Sequence, residues 1–261
     1  MSSPRTLGRS ARFAVPAEPF SVTTSDGVAL AGACIGTAGP AMILCHGFGG
    51  WHGKPGYARL AEWLSRSFTV HVFDFRGHGK SGGISSFGAL EIRDIEAVVG
   101  FARETGHHPV ATLGASMGGI AVVRHAALVG GTDAVVAVST PARWDGHRSA
   151  AVRRMAWLTG TARGRRLAKL MGIRLPAEWV RPESPLEVVG KIAPTPVLLV
   201  HGRDDHFFDE EEAWRLYREA GQPKHLWLAD RFGHAEDGFT PGFAERVGRF
   251  LYRAWKLQWP E

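Results

Sequence analysis

The chain has 261 residues, of which 44% are hydrophobic, 10% aromatic and 21% charged, with a formal net charge of +6. That length and balance suit one large folded domain and exclude a disordered, collagen-like or coiled-coil chain. The longest apolar runs, such as 135–138 and 196–200, fall far short of the roughly 18 to 20 residues a membrane-spanning helix needs, so an integral membrane protein is excluded too.

In chain order, residues 1–19 read as a loosely held arm. Arg5, Arg9 and Arg12 lie there without the apolar stretch that follows the basic start of a secretory signal, so a cytoplasmic location is expected. Strand-like runs follow at 20–24 and 28–35, split by the turn Ser25-Asp26-Gly27, and are expected to form an opening hairpin. Six more lie at 41–45, 69–73, 110–114, 134–138, 196–200 and 225–228, several too apolar to face water on either side. Cys34 and Cys45 sit inside two of these runs and read as buried thiols rather than a disulfide.

Helical spacing separates the strands. Tyr57, Leu60, Ala61 and Leu64 mark one buried stripe, and Ile92, Ile95, Val98, Val99 and Ala102 another. The acidic run 209–212 precedes Ala213, Trp214, Leu216 and Tyr217 and reads as a helix N-terminus matched to its dipole, not as a metal site. Thr240 and Pro241 open a last helix with the apolar face Phe243, Val247, Phe250, Leu251 and Ala254. The alternation is that of an α/β fold with a mainly parallel sheet.

The chemistry concentrates at Gly114-Ala115-Ser116-Met117-Gly118-Gly119, placed between a strand and a helical run through Ile120, Val123 and Ala126. A serine on so sharp a turn needs small neighbours, and its hydroxyl then stands clear of the backbone beside a helix N-terminus that favours developing negative charge. Taken alone, G-x-S-x-G is a weak motif that also fits an ordinary glycine-rich turn; the strand and helix around it raise its weight.

Two further motifs precede it, His46-Gly47-Phe48-Gly49-Gly50 after the third strand and Asp74-Phe75-Arg76-Gly77-His78-Gly79-Lys80-Ser81 after the fourth. In this order the motifs resemble the α/β-hydrolase superfamily of serine hydrolases, from residue 20 to the C-terminus, and look most like small esterases and monoacylglycerol-lipase or serine-aminopeptidase relatives. The resemblance implies an eight-stranded, mostly parallel sheet flanked by helices, with the core at 20–140 and 191–261 and a short helical cap at 141–190 inserted after the sixth strand. It implies Ser116 as nucleophile, His234 in Arg231-Phe232-Gly233-His234 as base, and Asp205 in His201-Gly202-Arg203-Asp204-Asp205 as the orienting acid, with Asp204 as the fallback. Asp209 stands where the family often has proline. The backbone amides of Phe48 and Met117 would form the oxyanion hole.

No cofactor is implied, and His201, Asp205, His206 and Asp209 lack the spacing of a known metal site. Serine at position 116 argues against haloalkane dehalogenases and epoxide hydrolases, which look similar but carry aspartate there. The segment 141–190 holds ten basic and four acidic residues, a local excess equal to that of the whole chain. Its apolar residues, including Trp144, Met155, Trp157 and Leu167, are either core-facing stripes or the lining of the substrate site, with Phe48, Trp144 and Trp157 as candidate substrate contacts. Its arginines are either solvated or form a face for an anionic surface, an acyl carrier or an acidic substrate. Hydrolysis of a small-molecule carboxylic ester is the leading expectation, a thioesterase acting on a carrier- or CoA-bound acyl group the alternative, and a non-catalytic ligand-binding member of the fold a third. Nucleic acid is not an expected partner, because no recognition motif accompanies the basic residues.

Overall fold

The computed structural model describes residues 13–36, 39–146 and 149–260. Eight strands form one sheet: β1 (Ala17–Thr23), β2 (Ala29–Ile35), β3 (Ala41–Cys45), β4 (Thr69–Phe73), β5 (Val110–Ala115), β6 (Ala134–Val138), β7 (Val197–Gly202) and β8 (Lys224–Ala229). Their spatial order is β1-β2-β4-β3-β5-β6-β7-β8. β2 runs antiparallel to β1 and β4, and the remaining pairs are parallel. This is the eight-stranded, mostly parallel sheet expected from the sequence. β3 to β7 are buried along their whole length, which their nearly unbroken runs of Val, Ile, Leu and Ala anticipate.

Both ends of the expected boundaries shift where pairing or packing extends. β1 starts at Ala17, inside the segment expected as an arm, because its register on β2 runs from the Ala17–Ile35 pair onward. Phe13 packs against the core, and the Ala14 amide donates to Glu62 Oε1 at 2.6 Å. Residues 1–12 of that arm lie outside the described residues. Of the two cysteines, Cys45 is buried as expected, while Cys34 is only half-buried, 3.9 Å from His71 Nε2; both are free thiols.

Helices cover both faces. On one side α1 (Pro55–Leu64) and α8 (Pro241–Ala254) bury Leu60, Leu64, Phe243, Val247 and Leu251. On the other, α2 (Glu91–Glu104), α3 (Met117–Leu128) and α7 (Glu211–Glu219) bury Ile95, Val98, Ala121, Val122 and Leu216. Thr240 caps α8 as expected, its Oγ1 accepting from the Phe243 amide at 3.1 Å, with Pro241 in the first turn. Glu211 and Glu212 do open α7, but Glu212 is buried for another reason. Its Oε2 accepts from the amides of Ala142 (2.8 Å) and Arg143 (3.3 Å), fixing the chain as it leaves β6.

Between β6 and β7 the chain forms α4 (Ala150–Gly160) and α5 (Ala162–Leu170), then an irregular stretch and the short α6 (Pro185–Val188). Ser149 and Thr161 cap α4 and α5, accepting from the amides of Val152 (3.1 Å) and Gly164 (2.9 Å). After α6 a 3-10 turn follows over Val189–Ile192, and Val188, Val189 and Ile192 join the core beneath the sheet. The last residues of the expected cap segment therefore pack with the core. No helix among the described residues is long and apolar enough to cross a membrane.

Candidate active site

Ser116 sits between β5 and α3 with φ 55° and ψ −115°, a left-handed conformation that costs a non-glycine residue about 1–3 kcal/mol. Surrounding structure imposes it. The Ser116 amide donates to Val138 O on β6 at 2.9 Å, while its own carbonyl accepts from the Ile120 amide at 3.0 Å and starts the helix. The flanking glycines are required by close approach: a Cβ on Gly114 would run into the Gly118 carbonyl, and one on Gly118 into the carbonyls of Cys45 and His46.

Asp205 and His234 arrive on the loops after β7 and β8. His234 Nδ1 lies 2.8 Å from Asp205 Oδ2, so the ring donates there and leaves Nε2 as the available base. Asp205 Oδ1 accepts from the amides of Phe207 (2.8 Å) and Phe208 (3.1 Å). The carboxylate is wholly buried; burial raises its pKa, but these hydrogen bonds, led by that from His234, outweigh it and hold Asp205 below the ordinary carboxylate range. Asp204 is exposed, so Asp205 is the aspartate that meets the histidine. Beneath this pair, buried His201 donates from Nε2 to Phe208 O at 3.0 Å and steadies the same loop. The ring of Phe207 lies against His234 at 4.3 Å between centroids, while His206 is exposed and stands edge-on at 6.2 Å.

The loop after β3 brings Gly47 against the elbow, where a Cβ would lie 3.3 Å from that of Ser116. Met117 is the first residue of α3, so the helix does not use its N–H, and the Phe48 N–H has no partner among the described residues. Both amides are thus free to meet an oxyanion.

The residues that hold this loop lie in the motifs and the helical stripe already named, but their contacts with it are seen only in the structure. Tyr57 Oη accepts from the Gly47 amide at 2.8 Å. His46 Nε2 accepts from the Phe75 amide at 3.0 Å, and its Nδ1–H donates to Gly47 O at 2.8 Å. Burial pushes the His46 pKa down to about 3, so the ring stays neutral. His78 Nε2 accepts from the Gly49 amide at 3.3 Å. Buried Asp74 accepts from the His52 amide (2.6 Å), His52 Nδ1 (2.8 Å) and the Lys80 amide (2.7 Å). The second motif thereby clasps the first, a pairing that only the fold reveals.

Two spaces flank Ser116. An outer cleft of about 1040 Å³ is lined by Gly47, Phe48, Ser116, His234, Glu236 and residues of α4 that include Arg153, Arg154 and Trp157. An inner pocket of about 360 Å³ shares Phe48, Ser116 and Met155 with it, and adds Phe87, Met117, Ile120, Trp144 and Trp179. Trp144 and Trp157, both expected near substrate, therefore fall in different spaces. Trp144 is pinned by its Nε1 donating to Pro182 O at 2.7 Å, whereas Trp157 is 49% exposed. Phe87 and Trp179 carry no local motif that marks them.

A family model for the alpha/beta hydrolase fold matches residues 40–189. The uncharacterized YfhR protein of Escherichia coli is 26% identical over 246 residues, spanning 89% of this chain and 76% of YfhR. The Pyrococcus furiosus esterase Pf2001 superposes with a TM-score of 0.76 at 25% identity, covering 97% of this chain and 99% of the esterase. A pimeloyl-acyl-carrier-protein methyl ester esterase from Chromobacterium violaceum is 36% identical over 84 residues, 31% of this chain and 29% of that protein.

Proposed function

The chain belongs to the alpha/beta hydrolase fold family, and from that footing we propose that it is a serine hydrolase cleaving a carboxylic ester through an acyl-enzyme on Ser116. The observation that carries the reading is the conjunction of an elbow serine with a histidine, oriented by a buried carboxylate at 2.8 Å, on one cleft. Ser116 Oγ attacks the ester carbonyl while His234 Nε2 takes its proton. The oxyanion is met by the Phe48 and Met117 amides. As the tetrahedral intermediate collapses, the bond between the acyl carbon and the alcohol oxygen breaks, and His234 returns the proton to that oxygen. Water then repeats the sequence on the acyl-enzyme. Asp205 keeps the ring oriented and stabilises the imidazolium, while its own proton affinity stays low. No metal or cofactor enters this cycle.

Hydrolysis of p-nitrophenyl esters by the purified protein, beside Ser116→Ala, tests it. Turnover should fall by several orders of magnitude in the variant, toward the roughly 10³ to 10⁴-fold residual that binding and an oxyanion hole alone provide. Ester hydrolysis surviving at the wild-type rate would refute the serine mechanism.

A thioesterase acting on a carrier- or CoA-bound acyl group is the second reading. Arg153 and Arg154 on the outer cleft favour it, as does the short stretch shared with an esterase named for an acyl-carrier-protein substrate. On this reading turnover of a carrier-bound substrate weakens steeply with salt while a neutral short ester is unaffected; an equal salt response of both would remove it. We place this chemistry in the cytoplasm, with the small-molecule ester or thioester as the partner and the basic cap as the place where an anionic surface or carrier would touch.

A further inference from the structure

The two spaces beside Ser116 differ in size and in their position relative to His234, and this inference rests on the reading above. The base that takes the serine proton must return it to the departing oxygen, so the leaving group lies on the side of His234. His234 lines the outer cleft and is absent from the inner pocket, which lies instead beside Met117 and Ile120. We infer that the inner pocket takes the acyl group, that the outer cleft takes the leaving group, and that Phe87 is the wall that sets acyl length. The substrate class is then an ester of a short acyl group with a bulkier leaving group.

The pocket's shape and lining agree with this division. At about 360 Å³ the inner pocket is near the small end of ligand sites, while the outer cleft is close to three times larger. The inner walls form one aromatic run: Phe48 stacks on Phe87 at 5.5 Å, Phe87 meets Trp179 edge-on at 5.7 Å, and Trp179 meets Trp144 at 5.1 Å. The outer cleft is also mostly apolar and, like the inner pocket with Arg143 and Arg165, carries two arginines, Arg153 and Arg154; what sets it apart is its larger volume and half-exposed Trp157 at its edge.

Phe87 is held as a fixed wall rather than a flap. It has φ 57°, a conformation an aromatic residue adopts only under constraint, and Gly88 follows with φ 93°. Glu91, fully buried at the start of α2, accepts from Ser85 Oγ (2.9 Å), the Ser86 amide (2.8 Å), Ser86 Oγ and the Gly88 amide (2.8 Å). Arg124 on α3, only 5% exposed, donates to Gly88 O (2.7 Å) and Ala89 O (3.1 Å). A buried acid and a buried base from two helices thus hold the loop that presents Phe87, and Arg124 Nε also ties Glu183 O to it at 2.9 Å. Hydrogen bonds of both Glu91 and Arg124 fall on residues 85–89, so both buried charges help to place that ring.

The test is a pair of ester series measured as kcat/KM. One series varies the acyl chain from acetate to laurate on a fixed p-nitrophenol; the other fixes butyrate and varies the alcohol from methanol to bulky alcohols. With the wild type, activity should peak at a short acyl chain and fall at least about tenfold once the chain outgrows the pocket, while bulk in the alcohol is tolerated. Phe87→Ala should move the cutoff to longer chains, Phe87→Leu should move it by less and guards against a misfolded alanine variant, and neither should alter the alcohol profile. Trp157→Ala should change KM across the alcohol series alone. A chain-length profile unmoved in both Phe87 variants, or one that shifts with the alcohol instead, would overturn the assignment while leaving the serine mechanism standing. Wild-type hydrolysis by Ser116→Ala, or no ester turned over by a folded wild type, would overturn the mechanism and the assignment together.

Discussion

Ser116 stores backbone strain where a glycine would store none. Ser116→Gly should therefore raise the unfolding free energy by about 1 kcal/mol while abolishing esterase activity, read from urea unfolding beside a p-nitrophenyl assay. A destabilised glycine variant would show that the serine side chain contributes more to the fold than its φ of 55° costs. The positions proposed as catalytic each follow a strand end and carry a local signature in the sequence: small residues around Ser116, a glycine before the acidic pair, a glycine before His234. The choice of Asp205 over its neighbour came from family spacing, and the geometry gives it a physical basis in the two loop amides and the imidazole that meet its carboxylate. Phe87, Glu91 and Arg124 were not legible. Arg124 meets residues 88 and 89 across more than thirty positions of chain, and no local pattern encodes such a pairing.

In the proposed mechanism the oxyanion is met in part by the loop carrying Phe48, and this loop is held from outside. Asp74 anchors its far end through His52, and burial, which by itself raises the Asp74 pKa, is outweighed by the His52 contacts that keep it charged. Asp74→Ala should lower kcat by up to about 10²-fold with KM little changed, since an amide misplaced by about 1 Å loses transition-state contact before it loses substrate. Equal effects on kcat and KM would instead indicate general loosening of the site. The cap is docked in a comparable way. Arg174 donates to the carbonyls of Ser81 and Gly83, and Trp179 Nε1 donates to Ser86 O at 2.9 Å, so the irregular stretch after α5 is bound to the same loops. Helix boundaries were read more easily: Thr240 and Pro241 announce α8, and Thr240→Ala should cost about 1 kcal/mol in a denaturant titration with no change in kcat. The short α6 was not read from the sequence, because only Pro185 and Val188 of its four residues are buried, too few to show a period.

For the molecule as a whole, the sheet order places the ends of β5, β7 and β8 so that three distant loops converge. Strand number and approximate bounds follow from hydrophobic patterning, which is why they were legible, whereas the sheet order depends on pairing between distant segments and is visible only in the structure. Acid sensitivity is also a property at this scale. Burial holds His46 down to about 3 and His71 and His125 down to about 4, against an ordinary 6.5. The unfolded chain therefore takes up these protons first as pH falls, so stability is fully present above about pH 6.5 and declines from there toward pH 4. Asp74 and Asp205, whose pKa values are depressed, extend the decline to lower pH as their carboxylates protonate. The urea midpoint should trace this slope, and His125→Leu should flatten it, because that ring buries an Nδ1 without a hydrogen-bond partner among the described residues.

The outer cleft opens to solvent along exposed Arg153, Arg154 and Trp157, on the side from which His234 serves the serine. On the proposed mechanism, once the first alcohol departs the acyl-enzyme ester faces bulk solution with His234 beside it, while its acyl chain lies behind the aromatic wall. Added methanol or glycerol should intercept the acyl group in competition with water, yielding a new ester in proportion to its concentration and accelerating p-nitrophenol release wherever deacylation limits turnover. The same opening that lets a bulky product leave would make this hydrolase an acyltransferase whenever an acceptor is abundant.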